Sequence, residues 1–175
     1  QLGNIGKEDF SEEAYFDVIR KKTAALFKAS SQSGAVSVGA VQEEVMKAGL
    51  LGEMIGIAFQ IKDDIFDYFE SSELGKPTGN DMLEGKLTLP ALYVLNQTGD
   101  DSLKQTALKI RSLEASKEEI ANFVETVKEK GGIEYATRMM YEFRDKALAL
   151  VPASADSSLK EALTAYIDYV IERNK

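Results

Sequence analysis

Four polar side chains able to bind a cation follow one another at helical spacing in the first half of the chain. Gln60, Asp63, Asp64 and Asp67 are spaced i, i+3, i+4 and i+7, so in a helix they share one narrow face. Residues 50–69 contain no proline and are otherwise mostly apolar, which favours a buried helix. Clustered carboxylates cannot stay ionised in such surroundings without cations. The stretch therefore predicts the wall of a metal-binding cavity.

The composition restricts the metal to a hard cation. The 175 residues include no histidine and no cysteine, which excludes hydrolase triads, thiolate sites, disulfides and the usual zinc sites. Oxygen ligands remain, and they favour magnesium, calcium or manganese. Magnesium held by Asp63 and Asp67 would keep open positions for phosphate oxygens, so it would bridge the protein to a phosphate-bearing ligand. The competing interpretation is a solvated acidic turn, and the apolar remainder of the stretch argues against it.

Two lysines could supply the cationic side of a phosphate site. Lys22 lies in an apolar stripe on the first predicted helix, whose members are Tyr15, Val18, Ile19, Leu26 and Ala29. It either reaches out to solvent or meets an anion, and Thr23 beside it can donate a hydroxyl. Lys76 stands in a glycine-containing loop over residues 75–81, where the backbone can approach a ligand closely. A diphosphate held between Lys22 and a metal on the aspartate face would supply an anion for the lysine and a ligand for the metal.

The rest of the chain predicts an all-α fold of about seven or eight helices with short connections. Gly34 is expected to interrupt or bend the path after the first helix. Gly49 and Gly52 are expected either to break the path or to permit close packing before the carboxylate helix. Thr88 opens a helix with Pro90 in its first turn. Ser116 and Glu119 form a capping box, and Gly131-Gly132 stop the helix that begins there.

The first helix is predicted over residues 11–31, the second from there to about residue 48, and the carboxylate helix from there to about residue 70. A loop follows over 71–86 and another helix begins at residue 88. The remaining helices are predicted over residues 103–113, 116–130, 133–150 and 157–173.

Size and charge narrow the class of protein further. The whole chain, 1–175, is expected to be a single domain. A net charge of −8 argues against general nucleic-acid binding, and no apolar run has membrane-spanning length. The absence of cysteine fits a reducing interior, so we expect a cytoplasmic protein without stable membrane insertion.

Taken together and in this order, these residues resemble the trans-polyprenyl diphosphate synthases of isoprenoid metabolism. The resemblance covers essentially the whole chain. It is carried by Tyr15-x3-Ile19-x2-Lys22-Thr23-Ala24, Gly56-x2-Phe59-Gln60-Ile61-x-Asp63-Asp64-x2-Asp67, Gly75-Lys76 with Gly79-x-Asp81, Gly85-Lys86-x-Thr88-Leu89-Pro90, Gly131-Gly132-Ile133 and the terminal Tyr169-Val170-Ile171-Glu172-Arg173.

The resemblance implies the isoprenoid synthase helical bundle and the head-to-tail, trans condensation of isopentenyl diphosphate with an allylic diphosphate. It also suggests a homodimer. It implies that magnesium is held by Asp63, Asp64 and Asp67. It further implies that the substrate is bound by Lys22, Thr23, Phe59, Gln60 and Lys76, with Lys22, Thr23, Gln60 and Lys76 acting in catalysis.

The sequence departs from the family pattern before the carboxylate helix. No second aspartate pair precedes Asp63, and neither its neighbouring basic residues nor an isopentenyl diphosphate site is recognisable. We therefore expect the C-terminal portion of a synthase, without the N-terminal helices, that is inactive or nearly so on its own. Two alternatives stay open: a non-catalytic helical partner subunit of a prenyl synthase, and a terpene cyclase or squalene-type synthase.

Overall fold

The computed structural model describes residues 10–69, 78–153 and 155–173. Every regular element within those ranges is helical, which confirms the predicted fold class. No helix among these residues is both long enough and apolar enough to cross a membrane. The elements are α1 (Glu12–Ile19), a π-helical turn (Arg20–Ala24), α2 (Ala25–Ser37), α3 (Gln42–Phe66), α4 (Asn80–Leu83), α5 (Leu89–Thr98), α6 (Asp101–Arg111), α7 (Lys117–Glu129), α8 (Gly132–Ala149) and α9 (Ser157–Glu172).

The helix boundaries that rest on local signals are confirmed. Ser116 accepts from the Glu119 amide while the Glu119 carboxylate accepts from the Ser116 amide, which completes the predicted capping box of α7. Thr88 is the N-cap of α5, with Pro90 in the first turn, where its missing N–H is not needed. After α7 the chain passes through Gly131 at φ +80°, a left-handed conformation that suits glycine.

The glycines for which a break in the path was one predicted reading lie inside helices. Gly34 is within α2 and Gly49 is within α3, and the chain instead breaks between Ser37 and Gln42. Gly52 has a packing reason, because a Cβ there would come 2.5 Å from the carbonyl oxygen of Phe27. Glycine at this position of α3 therefore lets α2 approach closely, which is the close-packing alternative predicted from the sequence. The carboxylate helix ends at Phe66, earlier than expected, and α4 forms within the predicted loop.

The apolar stripe predicted around Lys22 is wrong. A π-helical turn holds more residues than an α-helical turn, so it shifts the register of everything after it. The buried positions are Tyr15, Ile19 and Ala24, spaced by four residues and then by five, whereas Leu26 is 70% exposed. Lys22 is itself exposed and is not enclosed by apolar side chains.

The chain divides into two compact units, and the prediction of one domain stays a prediction. The first unit comprises residues 1–15 and 63–137, and the second comprises residues 16–62 and 138–175. Fully buried side chains of the first unit include Leu95, Ile110 and Phe123, and those of the second include Ile57 and Ile167. Each unit thus has buried apolar side chains of its own, and each contains part of the predicted site.

Candidate functional site

The three aspartates lie at and just beyond the C-terminal end of α3, in the first unit. Asp63 and Asp64 belong to the last turn of the helix, and Asp67 follows its final residue, Phe66. Their environments differ strongly. Asp63 is exposed, Asp67 is half-buried and Asp64 is only 4% exposed. The three aspartates therefore differ in their access to solvent and to a ligand.

Asp64 on α3 accepts a hydrogen bond from the side chain of Tyr15 on α1. The Tyr15 hydroxyl donates to Oδ2 of Asp64 at 2.6 Å, across 49 residues of sequence. Burial, and then the negative charge of Asp64, raise the pKa of Tyr15 well above its ordinary value. The hydroxyl therefore stays protonated and donates a charge-assisted hydrogen bond, the stronger kind.

Asp67 joins the end of α3 to the start of α4. Its Oδ1 accepts from the amide of Asn80 and its Oδ2 from the amide of Asp81, both at 3.0 Å. The carbonyl oxygen of Asp67 also accepts from the amide of Gly79 at 2.8 Å. Gly79 has φ +76°, and a Cβ there would meet Ile120 at 2.8 Å, so both its conformation and its surroundings require glycine. The predicted loop glycine thus serves this anchoring.

The donor chemistry of this cluster fits magnesium shared with a phosphate ligand. Among residues 10–69, 78–153 and 155–173, no three acidic side chains converge closely enough to hold a metal by themselves. Magnesium is commonly bound by one or two carboxylates, with waters and substrate phosphates completing the shell. Each carboxylate oxygen has two acceptor positions, so a carboxylate that accepts a hydrogen bond can also bind a cation. The cluster therefore suits a partly open site better than a closed protein cage.

Sequence reasoning missed the two tyrosines of this region. Tyr15 was counted as one member of an apolar stripe, although a buried tyrosine hydroxyl usually needs a polar partner. Tyr68 directly follows Asp67 and is 1% exposed, and burial is the main cause that raises its pKa. The available signal was the residue type itself, because a buried tyrosine usually has a hydrogen-bond partner for its hydroxyl.

The second unit brings together the predicted pair Thr23 and Gln60. Thr23 lies in the π-helical turn, and its Oγ1 donates to Oε1 of Gln60 on α3 at 2.6 Å. The approach depends on Gly56, one turn earlier on α3. A Cβ at Gly56 would come 2.6 Å from the Cα of Ala24, the residue after Thr23. Glycine at this position therefore allows the turn to reach Gln60.

Phe59 is held between an aromatic ring and a cation. Its ring lies 5.4 Å from the ring of Phe27, and the guanidinium carbon of Arg173 lies 3.7 Å from its centroid. Arg173 also donates to the carbonyl oxygen of Phe59 at 3.5 Å. Burial, followed by the charge of Arg173, lowers the pKa of Lys62 nearby. Arg173 entered the sequence analysis only as part of a terminal motif, so its contact with Phe59 was not foreseen.

The three lysines of the predicted motifs differ in their ionic partners and in whether the structure describes them. Among the described residues Lys22 takes part in no ion pair, whereas Arg20 and Lys28 both pair with Glu53, at 3.7 and 2.7 Å. Lys76 lies outside the described residues. Lys86 pairs with Asp81 at 3.5 Å. Of the basic candidates, Lys22 alone is both described and exposed without an ionic partner among those residues.

The comparisons with known proteins agree on one class. The family model described as polyprenyl synthetase matches residues 1–127. A short chain isoprenyl diphosphate synthase of Methanothermobacter thermautotrophicus is 34% identical over 98% of this chain and 53% of its own length. Component 2 of the heptaprenyl diphosphate synthase of Geobacillus stearothermophilus is 36% identical over 87% of this chain and 48% of its own.

A solved structure extends the likeness to three dimensions. The geranylgeranyl pyrophosphate synthase of Bacteroides thetaiotaomicron superposes with a TM-score of 0.90 at 57% identity, covering 95% of this chain and 55% of that chain. The chain thus spans about half the length of the relatives it matches.

Proposed function

We infer that this chain, which belongs to the polyprenyl synthetase family, is part of a prenyltransferase that lengthens an allylic diphosphate with isopentenyl diphosphate. The condensation is head-to-tail and trans, and its product is a longer polyprenyl diphosphate. The observation that carries this proposal is the set of carboxylates at the end of α3, where buried and amide-bound aspartates adjoin an exposed one. A solvated acidic turn needs no such supports.

In this proposal Asp63, Asp64 and Asp67 hold magnesium against the allylic diphosphate. Magnesium, when bound, neutralises the charge that builds up on the departing diphosphate. Asp67 is fixed by two backbone amides and Asp64 by the Tyr15 hydroxyl, so neither carboxylate must be ordered when the substrate arrives. Asp63 is the exposed member and is the most accessible to the ligand.

Lys22 and Lys76 bind the same diphosphate as point charges in this proposal. The bond between the allylic carbon and the diphosphate oxygen breaks, and the diphosphate leaves with the electron pair. The alkene of isopentenyl diphosphate then attacks the allylic cation, a carbon–carbon bond forms, and a proton is lost to the departed diphosphate. Such chemistry requires positioning and charge stabilisation, which is consistent with a chain lacking histidine and cysteine.

Thr23 and Gln60 serve the reacting end of the substrate. Their side-chain oxygens are joined at 2.6 Å, and both carry partial negative charge that stabilises a developing cation. Phe59 lies beside Gln60 and is proposed to contact the substrate as well. The pairing of Phe59 with Arg173 supports this role because it fixes the residue next to Gln60.

A second candidate function is that of a non-catalytic subunit in a two-component synthase. One relative is named a component 2, which favours an assembly with a different partner chain over the proposed homodimer. The retained set of Asp63, Asp64, Asp67 and Lys22 argues against a purely structural role, because a scaffold has no need of it.

The test incubates the full-length protein with magnesium, isopentenyl diphosphate and an allylic diphosphate. We expect a longer linear diphosphate. A hydrocarbon product would indicate a cyclase or a squalene-type synthase. Absence of product with every allylic diphosphate tested would support the subunit alternative. The 175-residue chain assayed alone is expected to be inactive or nearly so, because no second aspartate pair precedes Asp63 in it. Elongation by that chain at an ordinary enzymatic rate would contradict this expectation.

A further inference from the structure

Asp64 is the one acidic or basic side chain that is buried among the described residues. Taking a carboxylate out of water is costly unless hydrogen bonds or a counter-charge compensate it. Its neighbours Asp63 and Asp67 are not buried. The burial of Asp64 therefore requires a specific donor, and the described structure identifies that donor as Tyr15.

Tyr15 is itself firmly placed within the first unit. It is 9% exposed, and its backbone amide donates to the carbonyl oxygen of Ser11. One turn earlier on α1, the Glu12 carboxylate accepts a 2.6 Å hydrogen bond from the hydroxyl of Tyr135. The start of α1 is thus anchored on its own unit, and the Tyr15 hydroxyl meets Asp64 from a rigid support.

We propose that Tyr15 is a positioning residue for the carboxylate site, because its hydroxyl fixes the orientation of Asp64 for binding a divalent cation together with a diphosphate. This inference rests on the proposed function. Tyr15 does for Asp64 what the amides of Asn80 and Asp81 do for Asp67. Tyr15 differs from them in being a side chain, so its contribution can be removed by deleting a single oxygen atom.

The experiment titrates magnesium into the full-length protein and follows thermal unfolding in the presence of an unreactive allylic diphosphate analogue. Tyr15→Phe keeps the ring and removes the donor. Loss of a partner that orients a metal ligand typically weakens metal binding by about 10- to 100-fold. We expect the magnesium concentration giving half of the stabilisation to rise by at least about 10-fold in Tyr15→Phe. Tyr141→Phe is the matched control, because Tyr141 is 42% exposed on α8.

A double variant separates orientation from general damage to the fold. In an Asp64→Asn background, Tyr15→Phe should shift the magnesium midpoint no further, since the two residues act as one unit. An unchanged midpoint in Tyr15→Phe overturns the inference even if the unfolding temperature falls, because a merely structural role predicts that pattern. So does a full additional shift in the Asp64→Asn background.

Two further outcomes keep the inference testable. If Tyr15→Phe does not fold, the magnesium titration of Asp64→Asn is the deciding measurement. A magnesium midpoint in Asp64→Asn equal to that of the wild type overturns the inference. The wild type distinguishes this failure from that of the proposed function. Absence of both elongation and magnesium-dependent stabilisation in the wild type removes the proposed function and the inference with it, whereas normal elongation with a normal Tyr15→Phe titration removes the inference alone.

Discussion

Replacing Gly56 with alanine tests whether the Thr23–Gln60 hydrogen bond depends on close packing. The added Cβ would lie 2.6 Å from the Cα of Ala24, whereas ordinary contact begins near 3.4 Å. The π-helical turn must then move by about 0.8 Å, the difference between these two distances. If that movement lies along the hydrogen bond, the 2.6 Å separation of Thr23 and Gln60 grows to about 3.4 Å, where hydrogen bonds are weak.

The expected change in stability has two opposing parts. Forcing a methyl group into a packed contact costs about 1–3 kcal/mol, while exchanging glycine for alanine inside a helix contributes about 1 kcal/mol of stability. Gly34→Ala isolates the second part, because Gly34 is helical in α2 and its added Cβ would meet nothing within 4 Å. We expect Gly34→Ala to stabilise the protein and Gly56→Ala to be about 1–3 kcal/mol less stable than Gly34→Ala.

Urea unfolding measures the stability of both variants, and elongation by the full-length protein measures the catalytic effect. A misplacement approaching 1 Å at a reacting centre can cost about 100-fold in rate, so Gly56→Ala should lower kcat strongly and Gly34→Ala should leave it unchanged. Equal stability and equal kcat in the two variants would refute the reasoning. The contact between the π-helical turn and α3 would then be adaptable, and Thr23 would not depend on Gly56.

Asp67→Asn should destabilise the protein by about 1–2 kcal/mol in urea unfolding, because one of the two backbone amides at the start of α4 loses its acceptor. Unaltered stability would show that these amides find other partners. Glu119, whose pKa is lowered to about 2 chiefly by its hydrogen bond with Lys109, should make the protein less stable as the pH falls from about 4.5 towards 2. The sign follows because the unfolded chain binds this proton more readily. Glu119→Gln should flatten that part of the profile of unfolding temperature against pH, and an unchanged profile would contradict the assignment.

Features set by nearby residues were predictable from the sequence. The capping box of Ser116 and Glu119, the proline start of α5 and the glycine stop at Gly131 each depend on a few neighbouring residues. The family resemblance names Thr23 and Gln60 as substrate-binding residues, but it does not predict the hydrogen bond between them. Helical periodicity is also a local property, and it predicted the all-α fold class. The predicted carboxylate face is kept only in part, because α3 ends at Phe66 and Asp67 lies beyond it.

Features set by distant residues were not predictable in this way. The π-helical turn changes the register after Ile19, so a regular wheel wrongly enclosed Lys22. The partner of Asp64 lies 49 residues away, and no pattern around either residue indicates it. The sequence left open whether Gly49 and Gly52 break the path or permit close packing, and the answer depends on α2, which approaches α3 closely at Gly52.

The contact between Arg173 and Phe59 has a practical consequence for protein engineering. Arg173 directly follows the last residue of α9, so trimming the chain at the end of that helix would remove it. Its guanidinium nevertheless lies 3.7 Å from the ring of Phe59, 114 residues earlier in the chain and adjacent to Gln60. A deletion that removes Arg173 would therefore act as a mutation of the residue beside Gln60. Truncations at the end of α9 should retain Arg173.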